Sequence, residues 1–337
     1  MADLKTKYLG LELKNPVILG ANNLVTNIDN IRKAEDAGAS AVVYKSLFEE
    51  QIQLEAAQFD DELDEYTERH AEMVSLFPNL QYAGPEEHLY NLQKVKESVG
   101  IPVIASINAI YKETWVEYAR LIEQTGVDAL ELNFYAVPRD MDLDGREIIS
   151  KQIENFKAVK SKVSLPISVK LSHFYANPLN IIGQFDKAGV DGFILFNRLF
   201  QPDIDITKEQ HYTPYGISNP EDHRLALRFA GLLYGTIKAS ICSNTGIFTG
   251  EDVIKMLLAG ADCVQVVSTV YKNKIDYLRT IIEDIQKWMD AKGYQKIDDF
   301  KGKLSNRNIN DPFVYKRAQY IDLLLKSDEI FKKYPMV

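Results

Sequence analysis

The chain has 337 residues, 46% hydrophobic and 26% charged, so a sizeable core is available. A net charge of −9 with no run of lysines or arginines argues against nucleic acid or an anionic membrane as partner. Cys242 and Cys263 sit in apolar runs and read as buried thiols of a reducing compartment. The start, MADLKTKYLG, has no apolar signal core, and no stretch approaches the roughly 18 apolar residues of a membrane span. A cytoplasmic protein is expected.

From the N-terminus, residues 7–16 alternate and carry a glycine, which predicts a small hairpin leading into a strand at 17–19. Ile28, Ile31 and Ala34 then show helical spacing up to Gly38, and SAVVYKS forms the next strand. The segment AEDAGASAVVY is echoed in IEQTGVDALEL, FDKAGVDGFIL and MLLAGADCVQV. Each ends a helix at a glycine (Gly38, Gly126, Gly189, Gly260) and starts an apolar strand, since glycine supplies a left-handed cap without a Cβ penalty. Between these units lie four further apolar runs, NPVILGA, IPVIASI, LPISVKL and IKASICS, which brings the strands to eight.

Helical patterns fall at about 85–99, 112–125, 145–162, 177–188, 221–236, 250–259 and 271–291. Buried parallel strands read as continuous apolar runs, and eight βα units describe an α/β fold of the (β/α)8 barrel type. A doubly wound open sheet is the alternative, weakened by the lack of GxGxxG after the first strand. Two segments exceed a minimal barrel. Residues 49–84, including QFDDELDEYTERH, read as an acidic surface helix or loop, or as a lid. Residues 198–220 read as a hairpin over the barrel mouth. Residues 1–304 would form the barrel, and 305–337 an extension with a helix near 313–332, packed on the barrel or on a second subunit.

Chemistry in such barrels lies at the C-terminal strand ends. Those ends carry Asn22, Asn23, Lys45, Ser46, Ser106, Asn108, Asn133, Tyr135, Lys170, Ser172, His173, Asn197, Arg198, Ser243, Asn244, Ser268 and Thr269. Lysine at the end of an apolar strand, as in LPISVKLS and SAVVYKS, needs an anionic or electron-rich partner to offset its desolvation. The ring of amides, hydroxyls and two lysines suits a hydrogen-bonding heterocycle with some negative charge. Glu131 precedes Asn133 by two and points to the same side. The five histidines show no metal-ligand spacing, so no metal is expected. The loops SNTGIFTGEDV and STVYKNK read either as a phosphate cradle or as ordinary βα turns.

These residues, in this order, resemble dihydroorotate dehydrogenase of the soluble class 1 form, an FMN-dependent barrel of pyrimidine synthesis. The landmarks are LGLELKNP, YKS at 44–46, ELN at 131–133, VKL at 169–171, LFN, TGIFTGEDVIKMLLAGADCVQV and GYQKIDDFKGKL, spanning about residues 5–304. The resemblance implies FMN, a small dihydropyrimidine-like substrate and hydride transfer to flavin N5, with fumarate, a quinone or another soluble acceptor. It implies Lys170 at the flavin N1/O2 edge, Lys45 reaching flavin and substrate, and Ser46 beside them. Asn133 and Asn197 would bond flavin or pyrimidine, and Thr245, Gly246, Ser268 and Thr269 would cradle the phosphate. A homodimer is implied in the same way.

The sequence also departs from the family. Ala136 stands where the family's Cys or Ser takes a substrate proton, leaving Tyr135 as the neighbouring substitute. The family's substrate-binding asparagine is absent, with Met73 near its place, and Thr245 and Val267 replace glycines of the phosphate loops. A related cyclic amide is therefore an alternative substrate. Two further readings stay open: a barrel that binds flavin or nucleotide without dehydrogenase activity, and a Schiff-base barrel of the aldolase type using Lys170.

Overall fold

Apolar runs without a polar face must be covered on both sides, and they form the staves of a closed barrel. A computed structural model describes residues 2–52, 85–134, 136, 140–214, 216–317, 319–326 and 332. Met73, Tyr135 and nearly all of the acidic 49–84 segment lie outside the described residues.

An antiparallel hairpin, β1 (Thr6–Tyr8) and β2 (Leu11–Leu13), opens the chain. The parallel staves follow as β3 (Val17–Leu19), β4 (Ala41–Val43) with its continuation β5 (Leu47–Phe48), β6 (Val103–Asn108), β7 (Ala129–Asn133), β8 (Ile167–Leu171) and β9 (Gly192–Leu195). A surface hairpin, β10 (Asp203–Asp205) with β11 (Gln210–Tyr212), precedes the last two staves, β12 (Ser240–Asn244) and β13 (Cys263–Val266). Each stave pairs with the next; β13 pairs with β3, and β4 with β6, which closes the ring of eight.

The helices between staves are α1 (Ile28–Asp36), α2 (Pro85–Ser98), α3 (Lys112–Gln124), α4 (Gly145–Lys160), α5 (Pro178–Lys187), α6 (His223–Leu233) and α7 (Gly250–Ala259). Gly38, Gly126, Gly189 and Gly260 all take positive φ, as the repeated pattern requires. The pattern at 271–291 is two helices rather than one, α8 (Ser268–Asn273) and α9 (Tyr277–Lys292). Lys274 between them has φ 68°, which breaks the hydrogen-bond ladder. The 221–236 pattern likewise begins as a 3₁₀ turn, Pro220–Asp222, before α6. The helix expected near 313–332 is a 3₁₀ turn, Pro312–Tyr315, followed by α10 (Gln319–Leu325). Tyr315 packs over Gly231 of α6, and its carbonyl accepts from Arg228 at 2.7 Å.

The repeat has a second element besides its glycine. Asp128, Asp191 and Asp262 each accept the N–H of the preceding stave's first residues, Val103, Ile167 and Ile241, at 2.7–2.8 Å. Each also holds a lysine, Lys96, Lys160 and Lys301 respectively. These clips tie stave to stave at the N-terminal end of the barrel, away from the strand ends that carry chemistry.

Period-two alternation sorts the stave residues. Outward positions such as Val17, Val42, Val103, Leu130 and Val169 pack under the helices. Inward positions at the floor are apolar: Ile18, Ile104, Ala129, Ile194, Cys242 and Cys263, sealed by Tyr8 and Leu9 of the hairpin. Gly192 makes room for that plug, since a Cβ there would meet Leu9 Cδ2 at 2.6 Å. One layer higher the inward positions turn polar, and the site begins.

Candidate functional site

Above the apolar floor the inward residues are Ser106 on β6, Glu131 on β7, Lys170 on β8 and Gln265 on β13, all buried. Glu131 is the hub of this layer and is fully shielded from solvent. One oxygen accepts from Ser106 Oγ at 3.2 Å and from Lys170 Nζ at 3.5 Å; the other accepts from Gln265 Nε2 at 2.8 Å. A buried carboxylate needs such partners to offset its desolvation. Ser106 Oγ lies 2.7 Å from Ser46 Oγ, which continues the chain of bonds to the cavity wall.

A cavity of about 450 Å³ opens over this layer, within the range that holds a small molecule or cofactor. Lys45, Ser46, Asn133, Lys170, Asn197, Thr245, Gly246 and Ser268 all line it. Lys45 and Lys170, from strands far apart in sequence, therefore face one space. Burial lowers the pKa of Lys45. Asn197 Nδ2 donates to Asn133 Oδ1 at 2.9 Å, which fixes both amides. Thr269 does not line the cavity among the residues sequence reading placed there. It is fully buried, and its hydroxyl donates to the Phe248 carbonyl at 3.0 Å.

The loops after β12 and β13 meet at one wall. Gly246 has φ 74°, and a Cβ there would strike the backbone of His223 at 2.3 Å, so only glycine fits. Thr245 keeps a left-handed backbone at φ 75° although it is not glycine. Its Oγ1 bond to the Phe196 carbonyl, 2.9 Å, offsets part of that cost. Val267 is accommodated because Gly20 lacks a side chain; a Cβ at Gly20 would lie 2.9 Å from Val267 Cγ2. Ser218 links the two loops, accepting from Gly246 N at 3.2 Å and bonding Ser268 Oγ at 2.6 Å. The backbone N–H groups and hydroxyls here form a neutral cradle suited to anionic oxygens.

Sequence reading missed Ser218 and Gln265. Gln265 had a signal, a polar residue inside the apolar run CVQVV. Ser218 had none, because it reaches the site from the end of the hairpin insertion. Two lining residues also keep a buried polar atom without a hydrogen-bond partner among the described residues: Asn108 Nδ2 and Gln265 Oε1. A buried donor and acceptor left unpaired cost free energy unless a ligand engages them. Amides, paired lysines and a neutral cradle thus fit a planar heterocycle carrying a phosphate. No group of His, Cys, Asp or Glu among the described residues is arranged to hold a metal. No described helix is long and apolar enough to cross a membrane.

The family model for dihydroorotate dehydrogenase matches residues 3–289. The chain is 28% identical over 308 residues to a dihydroorotate dehydrogenase B (NAD(+)), catalytic subunit, of Thermoplasma acidophilum, covering 90% of this chain and 99% of that protein. Proteins of the same description from Methanosarcina acetivorans and Shouchella clausii are 29% and 28% identical, over 87% and 90% of this chain and 93% and 98% of theirs.

Proposed function

This chain belongs to the dihydroorotate dehydrogenase family, and from that premise we propose that it is an FMN-dependent oxidoreductase acting on a CH–CH group of dihydroorotate or a closely related cyclic amide. The observation that carries the reading is the shared cavity of Lys45 and Lys170, walled by Asn133 and Asn197. Bound there, FMN would supply the hydride acceptor. Lys170 would balance the negative charge that hydride brings, as a fixed charge in a dry site does most effectively. Asn133, Asn197 and the unpaired amide atoms of Asn108 and Gln265 would meet the polar edges of flavin or substrate. Gly246 N–H with the Ser218 and Ser268 hydroxyls would hold the phosphate. Lys45 would engage the substrate's anionic end. The Schiff-base alternative loses support because Lys170 Nζ is salt-bridged to Glu131. A small-molecule substrate and a homodimer complete the reading.

The test is an absorbance spectrum of the purified protein, then anaerobic addition of dihydroorotate. Stoichiometric FMN that bleaches on addition is the expected result. Bound FMN that no dihydropyrimidine bleaches would leave a flavin-binding barrel without this activity. A colourless protein that refuses added FMN would remove the oxidoreductase reading.

A further inference from the structure

A dehydrogenation that passes one hydrogen on as hydride releases another as a proton, which an atom at the cavity wall must accept. Among the described lining residues there is no Asp, Glu, His or Cys. Ala136 has no atom that can accept a proton. Lys45 and Lys170 are amines, and an ammonium must shed a proton before it can gain one. Tyr271 OH already accepts from Asn23 N. Of the hydroxyls, Ser218 and Ser268 bond one another, and Thr245 donates to the Phe196 carbonyl. Ser46 leads through Ser106 to the carboxylate of Glu131.

The direction of that chain follows from the donor count. Glu131 accepts the single Ser106 proton at 3.2 Å. Ser106 can then only accept from Ser46 at 2.7 Å, which leaves the free lone pair of Ser46 Oγ for the cavity. Ser46 lies between β4 and its continuation β5, Ser106 on β6 and Glu131 on β7; all three are buried, so packing holds them in register. A hydroxyl backed by a hydrogen-bonded base is the general arrangement that activates an otherwise weak group.

Resting on the function proposed above, we infer that Ser46 is the proton acceptor of this reaction, with Ser106 relaying to Glu131. As the substrate C–H bond breaks, its electron pair becomes the second bond of the new double bond. The proton goes to Ser46 Oγ, the Ser46 hydroxyl proton to Ser106 Oγ, and the Ser106 proton to Glu131. FMN, when bound, would supply the oxidant for the other hydrogen and both electrons of its bond. Protonation removes the negative charge of Glu131 at the step in which bound FMN would acquire one, so the buried site's net charge would stay constant and Lys170 would keep a counter-charge throughout. Constancy matters because an uncompensated buried charge is costly. Ser46 touches the substrate; Ser106 and Glu131 act through it.

The test uses the full chain loaded with FMN and mixed anaerobically with dihydroorotate. Ser106→Ala is the informative variant, because Ser106 lies behind the wall and its loss leaves the lining intact. Bleaching by dihydroorotate should slow by about 10²–10⁴-fold, the usual share of a positioned general base. FMN affinity and bleaching by dithionite should not change. Difference infrared spectra should show a protonated-carboxyl band on reduction by substrate in the parent protein and none in Glu131→Gln. Parent bleaching with Ser106→Ala at the parent rate, or with no carboxyl band, overturns the relay alone. A loss confined to Tyr135→Phe would move the role to the loop after β7. A parent protein that binds FMN but is bleached by no dihydropyrimidine overturns the functional reading, and the relay with it.

Discussion

Single residues at this site are tuned by what surrounds them more than by their type. His88, on α2, packs edge-on against Tyr44 with ring centroids 5.1 Å apart, one residue from Lys45. The residue is half-buried, and its Nε2 is enclosed without a partner among the described residues. Desolvation, and then the charge of Lys45, lower its pKa from 6.5 to about 4. Between those values the unfolded chain binds a proton that the folded chain does not. Stability therefore rises from about pH 4 to about pH 6.5 and gains nothing further from this group above that. Urea unfolding of the FMN-free protein should show that slope, amounting to roughly 3 kcal/mol at most over the whole window. His88→Gln should flatten it; an unchanged slope would assign the acid sensitivity elsewhere. This histidine carried no signal in the sequence, because its environment is built by a strand end over forty positions earlier. Lys170 is the contrary case: an isolated cation at the end of ISVKL announced a buried charge, though not that Glu131 would be its partner.

Elements show a division of labour between the two ends of the staves. The repeated glycine-x-aspartate caps a helix and clips the preceding stave at the end opposite the cavity. Asp128→Ala or Asp191→Ala removes a hydrogen bond from a backbone N–H and a lysine's partner. Each should cost about 1.5–3 kcal/mol in denaturant unfolding, with FMN affinity unchanged. Weakened FMN binding at unchanged stability would contradict this placement. The strands and most helices were legible because continuous apolar runs and 3.6-residue spacing report burial directly. The break between α8 and α9 was not, since Lys274 is a residue type that rarely takes a left-handed backbone.

At the scale of the whole molecule, cavity and stability are linked through binding. FMN at a free concentration 100 times its dissociation constant should stabilise the folded chain by about 2.7 kcal/mol and raise the melting temperature accordingly. Thermal unfolding with riboflavin in place of FMN isolates the phosphate cradle: a smaller shift is expected, and an equal one would remove the role given to Gly246, Ser218 and Ser268. The closed ring also explains why the two lysines converge. The staves that carry them are separated by β6 and β7 around the ring, and their inward side chains meet over one interior.

The order of residues along the chain was enough to specify the barrel, its glycine-capped repeats and most of the wall, because burial periodicity and capping are local properties. The hydrogen-bonded layer beneath the cavity was beyond its reach. Ser46, Ser106, Glu131, Lys170 and Gln265 are spread over more than two hundred positions, and which donor finds which acceptor depends on the pairing register around a closed ring. The same holds for Thr269, whose neighbour Ser268 faces the cavity while it turns into the core. A helical start rather than a turn at Ser268 sends adjacent side chains about 100° apart, and only the packed molecule selects which of them meets the ligand.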